Sequence, residues 1–153
     1  MPFRFRLQSV LRYKEKVEDD RKLELAALLT EKAEQEQRLV ALDAERERVR
    51  AEVLGGMKGE VDVDAVARGL RHVDWLDDCR RRQAELIAEL GHRVETKRQE
   101  VVEAMQERQA LERLRERDRA SYEAEQLHVE QTMMDEVATS RHFQRSNPAA
   151  ATS

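Results

Sequence analysis

Leucine and valine recur along this chain at a four-then-three spacing, with charged residues filling the positions between them. A seven-residue frame opened at Leu7 visits Leu7, Leu11, Lys14, Glu18, Arg21, Leu25, Leu28, Lys32, Gln35, Leu39, Leu42, Arg46, Val49 and Val53, eight of the fourteen being apolar. A seam this narrow, held over so many heptads, predicts a coiled-coil helix rather than one that buries a broad face in a globular core. A second seam runs through Val73, Leu76, Arg80, Gln83, Ile87, Leu90, Val94, Lys97, Val101, Ala104, Arg108 and Leu111. Past that point it fades, since Arg115, Asp118, Tyr122, Glu125, Val129, Thr132 and Glu136 include only two apolar residues. The polar seam positions weaken the pairing and serve to fix its register.

Glycine and proline punctuate the pattern. Pro2 and Pro148 stand at the two ends, and Gly55, Gly56 and Gly59 fall in one short window. That window predicts a helix stop and a turn, after which Asp62 or Asp64 can cap a new helix. The expected layout is a single all-α domain over residues 1–153, with a helix at about 4–54 and a turn at about 55–63. A second helix follows at about 64–143, then a flexible tail at 146–153. Gly69, followed by Asp74-Trp75-Leu76-Asp77, leaves open a separate short helix at 64–70. Folding the chain at its glycines gives an antiparallel coiled-coil hairpin. Leu7 then comes level with a residue in the range 110–118. The longer C-terminal helix overhangs by roughly 25–30 residues, given equal rise per residue in both helices.

Composition narrows the function. The 153 residues carry 28 Lys+Arg against 32 Asp+Glu, a formal net charge of −4, with 39% charged and 4% aromatic residues. So few large apolar side chains cannot fill a thick multilayer core. Interleaved charge of both signs is not a nucleic-acid footprint. No run approaches the ~18 apolar residues of a membrane span. Residues 1–14 hold Arg4, Arg6, Arg12 and Lys14 without an acid. They lack the apolar stretch of a secretory signal, and no cleaved segment is expected. The single Cys79 excludes a disulfide framework within one chain and suits a reducing compartment.

Candidate chemistry is sparse. His72, His92, His128 and His142 are scattered, without metal-ligand spacing, and read as solvated surface residues. The segment GGMKGE lacks the phosphate-loop pattern. A two-helix structure offers no concave interior for catalysis, so no enzyme activity, cofactor or metal is expected. What stands out are patches of apolar side chains. Phe3 and Phe5 flank Arg4 ahead of Leu7, Val10 and Leu11, either stapling the chain end or forming an apolar, cationic tip for a partner. Trp75, beside Leu76 and Cys79, either packs on the first helix or the turn or forms a docking hot spot. Met133-Met134 and Val137-Ala138 continue an apolar stripe on the overhang, which also carries Tyr122 and Phe143. A bare stripe there marks a partner site.

The opening run from Phe3 to Lys14, FRFRLQSVLRYK, resembles the FxFxLxxVLxxR/Y start of the flagellar export protein FliJ family. Met134-Asp135-Glu136-Val137-Ala138 is similar to that family's MDE-x-A segment, and the glycine turn between unequal helices fits as well. The resemblance implies a non-enzymatic, coiled-coil stalk and escort protein of the flagellar type III export apparatus. Such a protein is cytoplasmic, peripheral at the inner membrane, and a monomeric hairpin when free. Its implied partners are the export ATPase hexamer, the cytoplasmic domain of the export gate, and export chaperones. By position, the ATPase-ring contact involves Phe3, Phe5, Leu7, Val10, Leu11, Met134, Asp135 and Glu136. The export-gate contact falls on Trp75, Cys79, Arg82 and Leu86. Two rival readings are the equivalent stalk of a virulence-type injectisome and a homodimeric tether whose polar seam positions pair between chains.

Overall fold

The computed structural model describes residues 1–150. Helix α1 spans Gln8–Gly56 and helix α2 spans Val63–Ser146, with a short 3₁₀ turn at Pro148–Ala150. The two long helices pack against each other as an antiparallel hairpin, and the described residues contain no strand. Packing divides the chain into two units, one of Lys16–Met105 and one of Met1–Glu15 with α2 from Gln106 onward.

In the first of these units the turn is built by its glycines and one aspartate. The N–H groups of Met57 and Lys58 donate to the carbonyls of Leu54 and Gly55, each at 3.3 Å, tightening the last turn of α1. Gly59 then takes a φ of +82°, a left-handed conformation that side-chain-bearing residues rarely adopt. Asp62 caps α2, its Oδ1 accepting from the N–H groups of Asp64 at 3.1 Å and Ala65 at 3.3 Å. From there α2 is continuous, so residues 64–70 are its first turns and not a separate helix. Gly69 lies close against α1: a Cβ there would run into Cγ2 of Val53.

Two apolar clusters hold this unit together. Val49, Val53 and Leu76 are buried, with Leu42, Val66 and Val73 packed around them. Further along, Leu28, Leu90 and Val94 are buried with Leu25 against them. Polar rungs separate the clusters. The amide of Gln83 donates to Oε1 of the buried Gln35 at 2.7 Å and to its carbonyl at 2.9 Å. Arg46 reaches from α1 to Asp77 at 2.5 Å, while Arg80 reaches from α2 to Asp43. Lys97 bridges Glu24 and Glu100, both at 2.7 Å, and Arg21 lies 3.5 Å from Glu100. Among the described residues no buried side-chain nitrogen or oxygen lacks a partner. Such half-exposed pairs contribute little net stability. A slipped register would strand them, and this is their structural effect.

In the second unit the chain start lies on α2. The sequence pattern places the helix start near residue 4, whereas α1 begins at Gln8. The reason is the alternation of Phe3 and Phe5. In extended backbone, residues two apart share a face. Phe5 is thereby buried, and the ring of Phe3 meets Tyr122 at 5.7 Å. Gln8 N–H donates to the carbonyl of Phe5 at 3.2 Å as the helix begins. Leu11 is fully buried, and Lys14 pairs with Glu107 at 2.6 Å. These contacts bracket Leu7 between the levels of Glu107 and Tyr122, around the expected range. The non-helical start carries cover as far as Tyr122, beyond where the fading seam suggested it would end. From Glu123 to Ser146 every residue of α2 is exposed.

Candidate functional site

Three surfaces of the hairpin remain open, in part or in whole, after its own packing. The first is the chain start. Phe3, Arg4, Phe5 and Gln8 face Arg115, Glu116 and Arg119 across a shallow groove. Along the chain start Phe5 and Leu11 are buried and Phe3 and Leu7 half-buried, while Val10 is exposed. The aromatic residues therefore hold the segment to α2, and the apolar tip suggested by the sequence is largely consumed in doing so. Arg4 makes no ion pair within the described residues, whereas Arg119 pairs with Glu123 at 3.0 Å.

The second surface is α2 beyond Tyr122. Leu127, Val129, Met133, Met134, Val137 and Phe143 are all exposed there, Met134 to 71%. Asp135 and Glu136 are exposed beside them. Side-chain hydroxyls of Thr132, Thr139 and Ser146 donate back to carbonyls one turn earlier, so they bond only to their own helix.

The third surface lies early in α2, in the other unit. Trp75 is 58% exposed, so more than half of it lies outside any packing on α1 or the turn. Its ring stacks on His72, centroids 5.7 Å apart and planes inclined by 15°. His72 in turn lies 3.9 Å from Glu45. The Arg48 guanidinium, hydrogen-bonded to Glu45, holds that carboxyl below its usual range, and His72 adds to the effect. The sequence pattern alone marks His72 only as a surface residue, which it is. Its distance of three positions from Trp75, which makes helix neighbours, was the available signal for the stack. Trp75, Cys79, Arg82 and Leu86 follow one another at helical spacing, with Arg82 and Leu86 exposed and Cys79 half-buried with a free thiol.

Nothing in this set resembles a reaction centre. The described residues contain no cluster of three or more His, Cys, Asp or Glu able to hold a metal ion. Among the described residues no helix is long and apolar enough to cross a membrane. The surfaces are suited to docking other molecules.

The family model described as Flagellar FliJ protein matches residues 3–147. The chain belongs to the flagellar FliJ protein family. The match takes in the Phe3–Phe5 start, the glycine turn and the uncovered arm of α2. No curated protein and no solved structure matches the chain. Members of the FliJ family are non-enzymatic components of the flagellar export apparatus, and this chain is a component of that apparatus.

Proposed function

We infer that this FliJ-family chain is a stalk and escort protein that binds and activates the export ATPase ring. It works in the cytoplasm at the inner membrane, contacts the cytoplasmic domain of the export gate, and handles export chaperones. The observation that carries the reading is the arm of α2 past Tyr122. It is a helix with six large apolar side chains exposed, in a chain matched to the family along almost its whole length. An uncovered stripe of this kind is costly to leave in water and marks a surface that another protein covers.

In this reading the ring contacts Met134, Asp135 and Glu136, together with the accessible parts of Phe3, Leu7 and Val10. Phe5 and Leu11 act indirectly, by fixing the chain start on α2. The gate contact falls on Trp75, Cys79, Arg82 and Leu86, where Trp75 supplies a large apolar area at small entropic cost. A single chain can satisfy its own polar rungs, since Gln35 bonds Gln83, Arg46 pairs with Asp77 and Arg80 with Asp43. The test is to titrate the purified chain into the export ATPase while following hexamer formation and hydrolysis. Both should rise and saturate. No effect at saturating concentration would refute the proposal.

A further inference from the structure

On the uncovered arm Leu127, Met134 and Val137 lie off the line of the hairpin seam, whereas Val129 and Phe143 continue it. At about 100° per residue, Leu127, Glu130, Met134, Val137, Arg141 and Gln144 form a heptad row of their own. This row lies roughly a third of a turn around α2 from the line through Tyr122, Val129 and Thr132. It is a second seam on a different face. Leu127, Met134 and Val137 on it are exposed, and Glu130 and Arg141 have no ion-pair partner among the described residues.

The second seam is self-complementary when reversed. Place an identical helix antiparallel, with the two-fold axis between Asp135 and Glu136. Met134 then comes level with Val137 of the other copy, Leu127 with Gln144, and Glu130 with Arg141. The pairing of the first heptad position with the fourth is the layer pattern of antiparallel coiled coils, and the two-fold repeats each pair. Met133 and Ala138 border the seam on its two edges. In a parallel pair Glu130 would face Glu130 and Arg141 would face Arg141, which is repulsive twice over. The available length agrees: the uncovered stretch runs from Glu123 to Ser146, so the axis lies near its middle. The other copy's helix would end where Phe3 and Tyr122 begin to cover α2.

We propose that two copies of this chain associate through the arms of α2 as an antiparallel two-fold pair, with Glu130 and Arg141 of each copy in reciprocal ion pairs. The pair joins two hairpins that are already closed, unlike a tether in which the main seams exchange between chains. Only about three heptads meet and two of the six layers are charged, so the association is weak and reversible, and hides Met134 and Val137 until a tighter partner displaces it. The proposal does not depend on which protein that partner is.

Sedimentation equilibrium of the full chain and three variants is the test. The native chain should show a concentration-dependent monomer–dimer equilibrium below about 1 mM, the range of weak specific contacts. Glu130→Arg alone and Arg141→Glu alone each create like-charge layers and should weaken the dimer by about tenfold or more. The double variant Glu130→Arg with Arg141→Glu restores opposite charges and should return the dimer to near-native strength. All three changes are on an exposed helix face, and circular dichroism should show unchanged helicity. A native chain that stays monomeric throughout would overturn the proposal. So would single variants that dimerise as the native chain does, since a parallel pair or an unrelated contact behaves in that way.

Discussion

Gly69 shows how a missing side chain sets the spacing of two helices. In the sequence it reads as an interruption. In the fold it is where Val53 of α1 occupies the space a Cβ would need. Gly69→Ala should therefore destabilise the hairpin by about 1–3 kcal/mol through overpacking, less about 1 kcal/mol regained in helix propensity. A thermal melt should record a drop of a few degrees, whereas Gly91→Ala, whose Cβ would approach only the flexible end of Lys32, should not lower the midpoint. Trp75 is the contrasting residue. With its ring stacked on His72 and more than half exposed, Trp75→Ala should change stability by no more than about 0.5 kcal/mol. If the gate reading is right, the same change should weaken binding to the gate domain in a pull-down.

At the level of elements, both helices and their seams were legible because a heptad seam is a one-dimensional pattern. All fourteen α1 seam positions, from Leu7 to Val53, are buried or half-buried in the structure. The start of α1 was not legible. Phe3 and Phe5 sit where helical and extended readings both place them near α2, and only tertiary contact with Tyr122 decides between them. Leu11 carries that junction: Leu11→Ala should cost about 2–5 kcal/mol, read as earlier melting. The polar rungs make the pairing sensitive to acid. Hydrogen bonding to Arg46 holds the Asp77 carboxyl below its usual range, and Lys97 does the same for Glu24. A depressed carboxylate contributes stability above its unfolded pKa and loses it as pH falls through its folded value. The melting temperature should thus hold near neutrality and fall below about pH 4. High salt should reduce the effect, since these pairs are solvent-screened.

At the scale of the whole molecule, the division of labour is between a closed hairpin and the faces it leaves free. The sequence located the bare arm through the fading of the second seam. It set the end of cover too early, because the non-helical residues before Gln8 continue the cover to Tyr122. The His72–Trp75 stack escaped notice because a lone histidine in a charged helix carries no periodic signal. The proposed function makes one physical claim: in the monomer α2 from Glu123 to Ser146 is unpaired, and the export ATPase is what covers it. Amide hydrogen exchange, recorded at a dilution where the chain is monomeric, with and without the ATPase, tests this directly. The account predicts fast exchange from Glu123 to Ser146 in the free chain, slow exchange across the paired region, and marked slowing of the arm when the ATPase is added. An arm already protected in the free monomer, or one whose exchange is unchanged by saturating ATPase, would contradict it.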